Sequence, residues 1–192
     1  MRPVRRLLAP LAAVALGLSG CGTQIAGHPE PAAGFGAPDE TAASATSNAS
    51  PVPPPTIPQP RGTDIDPCVL FAPEDLTAVG EPVGPPRPDD PGPGICTHGL
   101  RFEQNAAAAG FGVPFAEAAA RQPGGTATAI EGHSTWLYCE KREVYQTCAA
   151  TTAVREDSTL VTLLSLHGAS AADTAEALHG LTGAALRKLP PG

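Results

Sequence analysis

Aromatic residues are scarce in this sequence, which has one Trp, two Tyr and five Phe among 192 residues. Aromatic side chains bury the largest areas in protein cores, so a chain with few of them builds a modest core. Small exported domains commonly compensate for a modest core with disulfide bonds. We therefore expect covalent cross-links in any folded part of this chain.

Basic residues are also few: 12 Lys and Arg stand against 19 Asp and Glu, which gives a formal net charge of −7. Three of the basic residues, Arg2, Arg5 and Arg6, lie in the first six positions. The remainder of the chain is therefore more acidic still. This balance argues against nucleic acid as a partner, and against binding anionic lipid headgroups through a broad basic surface.

No apolar run in the sequence is long enough to cross a bilayer, which takes about 20 residues. The longest run, residues 7–18, follows the basic start and has the length of a signal-peptide core. It ends in Leu18-Ser19-Gly20-Cys21, the pattern of a lipobox. We predict that residues 1–20 are a signal peptide and that Cys21 is lipidated. The alternative is an ordinary cleaved signal peptide with a chance cysteine.

Lipidation would anchor the protein to the cell membrane on its extracytoplasmic face, because two acyl chains hold a protein stably on a bilayer. Residues 21–63 are rich in Pro, Ala, Ser and Thr and lack hydrophobic periodicity. Such a segment cannot bury enough apolar surface to fold, so we predict a disordered tether. The folded domain is predicted to occupy residues 64–192.

Four cysteines remain beside Cys21: Cys68, Cys96, Cys139 and Cys148. An even number in an exported domain indicates two disulfides, with three possible connectivities. If Glu143 and Val144 form a two-residue turn, Cys139 lies opposite Cys148 and can bridge to it. Cys68 would then pair with Cys96. A metal site is not expected, because Cys96-x-His98 has no second pair of ligands.

Hydrophobic periodicity and turn residues predict an α+β domain, an antiparallel sheet of about four to five strands with helices packed on one side. Short helices are expected at Pro73–Val79 and Pro114–Arg121. Ser170 is a good N-cap for a final helix, whose apolar stripe is Ala171, Thr174, Leu178, Leu181, Ala185 and Leu189. The strands are expected at 95–103, 107–113, 134–141, 144–155 and 159–166.

The order of these features resembles a known family. Asp66-Pro67-Cys68-Val69-Leu70-Phe71-Ala72-Pro73-Glu74-Asp75-Leu76 follows the lipobox and tether. This run is similar to the D-P-C-x-L-L-T-P-E-x-L opening of actinobacterial lipoproteins that carry a domain of unknown function. Phe71 and Ala72 replace the usual Leu-Thr, and His98 stands where members often have Trp. The resemblance implies an exported, membrane-anchored envelope protein and brings no activity or site residues.

The sequence offers no catalytic constellation and no cofactor motif. Gly132-His133-Ser134 lacks the second glycine of a nucleophile elbow. The histidines are scattered along the chain, and each is expected on the surface without a paired nucleophile. Asp89 and Asp90 lie in a Pro/Gly-rich loop and are a weak set of calcium ligands on their own. We therefore predict no catalytic residues, and an envelope hydrolase is the least favoured function.

Binding is the remaining class of function. Trp136 and Tyr138 are two residues apart on one predicted strand and share a face, and Tyr145 is a third candidate. The alternative is that these aromatics form the core. The long loop 81–94 is a further candidate binding element. We predict an interaction module for an unknown envelope protein or cell-wall partner; a small-ligand-binding or sensory lipoprotein is the second hypothesis.

Overall fold

The computed structural model describes Val52, residues 54–102 and residues 104–192. The predicted signal peptide, Cys21 and most of the predicted tether lie outside these residues. Within them, three α-helices and a short 3-10 helix (Pro67–Val69) accompany seven strands. The α-helices are α1 (Pro73–Leu76), α2 (Phe115–Ala120) and α3 (Ala171–Lys188). The strands are β1 (Arg87–Pro88), β2 (Ile95–Gly99), β3 (Ala106–Gly112), β4 (Thr126–Ile130), β5 (His133–Arg142), β6 (Tyr145–Ala153) and β7 (Thr159–His167).

All neighbouring strands pair antiparallel in one sheet of order β1-β2-β3-β7-β6-β5-β4. The α+β class is confirmed, but the predicted four to five strands are too few. Both edge strands escaped prediction. β1 is only two residues long and lies in a proline-rich loop. β4 consists mainly of Thr and Ala and has no alternation of large apolar with polar residues.

Helix α3 covers one face of the sheet and forms the main core with it. Ser170 caps α3, because its hydroxyl oxygen accepts a hydrogen bond from the Asp173 N–H at 3.1 Å. Five of the six residues of the predicted stripe are buried, and only Ala171 is exposed. Beneath them lie small and medium apolar residues of the sheet: Ala107, Ala109, Cys148, Ala150, Leu160 and Leu164.

Helix α2 lies on the opposite face, so the prediction that all helices pack on one side is wrong. The segment that contains α2 passes over this face. There the Thr159 hydroxyl donates to the Val113 carbonyl at 2.9 Å, and the Trp136 indole N–H donates to the Gln122 carbonyl at 2.9 Å. Phe115 and Ala119 of α2 are buried there, outside the main core.

The β5–β6 hairpin has the predicted turn and register. Arg142 pairs with Tyr145 across the Glu143-Val144 turn, and Cys139 pairs with Cys148. Glu143 adopts a φ of 55°, as tight hairpin turns require. The disulfides Cys139–Cys148 and Cys68–Cys96 are both present, with Cα–Cα separations of 4.1 Å and 5.0 Å. The predicted connectivity is therefore confirmed.

Residues 56–62, which we call the strap, run along one end of the sheet. Thr56 exchanges hydrogen bonds with Ser134, and the Arg61 N–H donates to the Val154 carbonyl at 3.0 Å. Gly62 donates to the Pro190 carbonyl at 2.7 Å. The hydrogen-bonded part of the chain thus begins before the predicted boundary at residue 64. Pro60 and Pro58 need no partner for a backbone N–H, which suits an irregular segment.

Two elements end three or more residues before their predicted ends. Helix α1 ends at Leu76, three residues early, because the chain turns toward Gly80, whose φ is 140°. Strand β2 ends at Gly99 instead of residue 103.

The helices of the described part include none that is both long and apolar enough to span a bilayer.

The two disulfides should contribute unequally to stability. The Cys68–Cys96 bond closes a loop of sequence separation 28, against 9 for Cys139–Cys148. In the chain-entropy model the first contributes about 4 kcal/mol and the second about 3 kcal/mol. Paired Cys→Ala variants at each bridge, unfolded in urea without reductant, measure the difference. An equal or reversed loss would contradict the loop-length argument.

Candidate functional site

The three candidate aromatics point away from α3. On β5, Leu137 and Cys139 pack against the main core, and the alternation of strand side chains turns Trp136 and Tyr138 to the other face. Tyr145 lies opposite Arg142, and residues paired across neighbouring strands lie on the same face. Arg142 is four residues after Tyr138 on β5, so it shares the face of Tyr138. All three aromatics therefore lie on the sheet face opposite α3, here called the open face. None of the three belongs to the main core cluster beneath α3.

Trp136 holds the loop between α2 and β4. Its indole N–H donates to the Gln122 carbonyl, and a side chain at Gly125 would overlap its ring. Glycine at position 125 is thus required for the loop to lie flat on the indole. Trp136 is half-buried by this contact and acts in packing.

Tyr138 and Tyr145 are half-buried on the open face. The Tyr138 hydroxyl donates weakly to the Glu140 carboxylate at 3.4 Å. The Tyr145 ring meets His167 of β7 edge-on, with 5.5 Å between centroids. Both tyrosines keep part of their rings accessible, which is the arrangement of aromatic residues at interfaces. Their role in binding stays a prediction.

Between these tyrosines and the β1 strand, the open face has a floor of small residues. A shallow cavity of about 230 Å³ lies there. Its floor is formed by Thr97, Ala106, Ala108, Thr147, Leu163 and Ser165. Its wall is formed by loop 81–94, the predicted binding element, where Arg87 bridges to Asp90 at 2.8 Å. Pockets for drug-sized ligands usually span about 300–1,000 Å³, so this cavity is small for such a ligand.

Three of the four exposed large apolar side chains of the described residues lie at one end of the sheet, which we call the loop end; the fourth is Val69. Phe102, Val83 and Val144 are 71%, 57% and 49% exposed. Hydrogen bonds join these loops: Gly168 donates to the Val144 carbonyl and His167 donates to the Asn105 side chain, each at 2.8 Å.

Phe102 lies outside strand β2, although the predicted strand was expected to reach residue 103. Its φ of 78° lies in the left-handed region that a bulky residue rarely occupies. Such conformations persist where the surrounding structure enforces them, and they gather at functional sites. One sequence signal accompanies this feature: the polar Glu-Gln-Asn run directly after Phe102, which favours a turn.

No catalytic pair forms among the described residues. The His133 ring nitrogen Nδ1 lies 2.8 Å from the Ala153 carbonyl, whereas the Ser134 hydroxyl accepts a hydrogen bond from Thr56. Asp90 is held by Arg87, and the Asp89 carboxylate accepts from the Gly94 N–H at 3.0 Å. Across residues 54–102 and 104–192, no three His, Cys, Asp or Glu side chains are grouped as metal ligands.

The larger cavities lie elsewhere. One of about 620 Å³ lies between the strap and the β6–β7 turn and is lined by Ile57, Pro60, Arg155, Glu156, Asp157 and Gly192. Another, of about 470 Å³, lies beside Val83 at the loop end. Neither is lined by an aromatic side chain.

A half-buried ion pair ties α1 to the end of α3. Asp75 accepts from Lys188, which also donates to the Leu70 carbonyl at 3.1 Å. Burial alone would raise the pKa of Asp75. The hydrogen bonds from Lys188 and the Ala72 N–H, with the positive charges of Lys188 and Arg187, outweigh burial and lower that pKa.

His98 lies close to this pair on the α3 side of the sheet and is 7% exposed. Its ring contacts Phe71 at 6.0 Å between centroids, and within the described residues its Nε2 has no hydrogen-bond partner. Burial lowers the pKa of His98, and the positive charge of Lys188 lowers it further. Both effects favour the neutral form of this histidine. His98 and His133 are buried, so both were wrongly expected at the surface.

Comparisons of the chain with protein-family models, with curated proteins and with solved structures gave no match. The resemblance to the actinobacterial lipoproteins therefore stays a prediction.

The buried His98 predicts a loss of stability in mild acid. In the unfolded chain a histidine takes up a proton near pH 6.5, about its ordinary pKa, whereas folded His98 resists protonation. The unfolded state thus binds more protons below about pH 6.5, and the free energy of unfolding should fall there. His98→Gln should show a smaller fall than the wild-type protein, measured by urea unfolding at pH 7.5 and 5.0. His179→Gln, at an exposed site on α3, is the control and should behave as wild type; equal falls in all three proteins would refute the assignment.

Proposed function

We propose that this protein is a lipoprotein anchored through Cys21 to the outer face of the cytoplasmic membrane. The proposal rests on the pairing of four cysteines and on the position of the fifth. Four of the five cysteines form two disulfides, which are typical of an oxidising compartment. Cys21 is the fifth, and it stands at the end of a lipobox pattern behind a basic and apolar leader. A single cysteine at that position is what acylation requires.

We propose further that the folded domain binds an envelope protein or a cell-wall partner rather than catalysing a reaction. The loop end supports this, because exposed apolar residues gathered at one place are typical of interaction sites. Phe102 and Val144 lie at the opposite end of the strands from the strap, so the strap does not cover them. Tyr145 and His167 continue this surface onto the open face.

A small-ligand-binding lipoprotein is the second candidate function. Ligand pockets are usually lined by hydrophobic and aromatic side chains. The open-face cavity has only Leu163, Pro91 and alanines as apolar lining, and the two larger cavities have no aromatic lining. These observations favour the interaction module.

Cys21→Ser should abolish acylation. We expect cells that express the wild-type protein to incorporate labelled palmitate into it and to retain it in the membrane fraction. The variant should incorporate none and should be released or stay unprocessed. Ser19→Ala keeps a small residue in the lipobox and should label as wild type. Labelling of the Cys21→Ser protein would overturn the anchor proposal.

The interaction surface can be tested by site-specific photo-crosslinking in intact cells. A photoreactive residue at Phe102 or Val144 should give an adduct of discrete mass, because a bound partner would cover these positions. The same residue at His179, which is exposed on α3, is the matched control and should give none. Equal adduct patterns at all three positions would contradict a partner at the loop end.

A further inference from the structure

We propose that strand β4 is a self-association edge, through which two copies of this chain join their sheets. The strand occupies one end of the strand order, so no strand of the described domain pairs with its outer side. Four of its five residues, Thr126 to Ala129, are exposed. The inference does not depend on lipidation of Cys21.

The register identifies which backbone groups face outward. Glu131 and Gly132 form a two-residue turn with φ values of 50° and 80°, so Ile130 and His133 are a hydrogen-bonded pair. Hydrogen-bonded and non-hydrogen-bonded pairs alternate along the ladder. Ala127 and Ala129 therefore belong to non-hydrogen-bonded pairs, and their N–H and C=O groups point away from β5. Ser134 lies opposite Ala129, and its N–H donates to the Thr56 carbonyl and not to β4. This agrees with Ala129 and Ser134 being a non-hydrogen-bonded pair.

The two edges of the sheet differ in their protection. At the other edge, β1 has two residues, one of them Pro88, which has no N–H, and Arg87 is held by Asp90. Short length, proline and charge are the usual devices that prevent edge-to-edge pairing. The β4 residues Thr126-Ala127-Thr128-Ala129-Ile130 include neither proline nor charge, so this edge has none of these devices in its sequence.

The distribution of charge indicates that the partner of the β4 edge is a second copy of this chain. The chain has a net charge of −7, yet residues 122–130 contain no charged side chain. A strand that pairs with its own copy across a two-fold axis must avoid opposing like charges, whereas a strand that recognises a charged peptide would gain from opposite charge. The uncharged edge of an acidic domain fits self-pairing.

One symmetric register gives hydrogen-bond partners to the outward N–H and C=O groups of Ala127 and Ala129. With Thr128 opposite Thr128 of the second copy, Ala127 of each copy faces Ala129 of the other, and these pairs exchange N–H···O bonds in both directions. Only Thr and Ala side chains meet near the two-fold axis. Glu131 would face Gly125, and it already forms an ion pair with Arg187 at 2.6 Å. The two-fold axis is normal to the sheet, so both α3 helices lie on the same side.

Disulfide trapping of the full-length protein in detergent tests this register. Thr128→Cys should form a covalent dimer under mild oxidation, because facing residues of a non-hydrogen-bonded pair come close enough to bridge. Thr126→Cys is the matched control, since in this register its copies are about 13 Å apart along the strands. Cross-linking at residue 128 but not at residue 126 would support the proposal. A monomer by native mass spectrometry, or cross-linking that is equal at both positions or absent at both, would overturn it.

Charge reversal supplies a second measurement on the same edge. Ala127→Lys with Ala129→Lys places lysines opposite lysines and should weaken dimerisation at least about tenfold, and Ala127→Glu with Ala129→Glu should do the same. A mixture of the two variants should restore the dimer. Both variants change exposed side chains, and their unfolding midpoints verify that each still folds. Failure of the folded variants to restore the dimer on mixing would refute edge pairing.

Discussion

The register of the β5–β6 hairpin is the constraint on which the rest of the domain depends. The Glu143-Val144 turn sets Cys139 opposite Cys148, and the strand alternation then assigns every other residue to a face. A slip of one residue would carry Leu137 to solvent and Tyr138 into the core. The disulfide fixes the pairing covalently, so the hairpin cannot slide.

The composition explains why only one face of this sheet is fully covered. α3 supplies leucines and alanines that pack well on the small residues of β3 and β6, but the chain has too few large side chains for a second complete layer. The short helix α2 covers only part of the opposite face, with Phe115 and Ala119. The remaining part is the open face. The same shortage of apolar area explains the use of two disulfides in a domain of this size.

Features with strong local signals could be predicted from the sequence. The turn between Tyr138 and Tyr145, the capped helix after Ser170 and the cysteine spacing each have a direct physical cause within a few residues. Strand β4 has none, because its alternation is between Thr and Ala and not between polar and large apolar residues. Its clearest signal is the Glu131-Gly132 turn, which joins it to β5.

The features that escaped prediction depend on contacts between distant parts of the chain. The strap is ordered by Val154 and Pro190, far away in sequence. The side on which α2 packs follows from the Trp136 contact with Gln122. His98 is buried because Phe71 and the end of α3 close over its strand. Phe102 is exposed because β2 ends three residues before it. Local propensity describes none of these relations.

We propose that the five cysteines have separate roles, one in membrane attachment and four in fixing the fold. The most direct test is a peptide map of the full-length protein, extracted from membranes and digested without reduction. We expect a Cys68–Cys96 peptide pair, a Cys139–Cys148 pair and an N-terminal peptide whose Cys21 carries diacylglycerol. A free thiol at Cys21, a disulfide that includes Cys21, or any crossed pairing among the other four would contradict it.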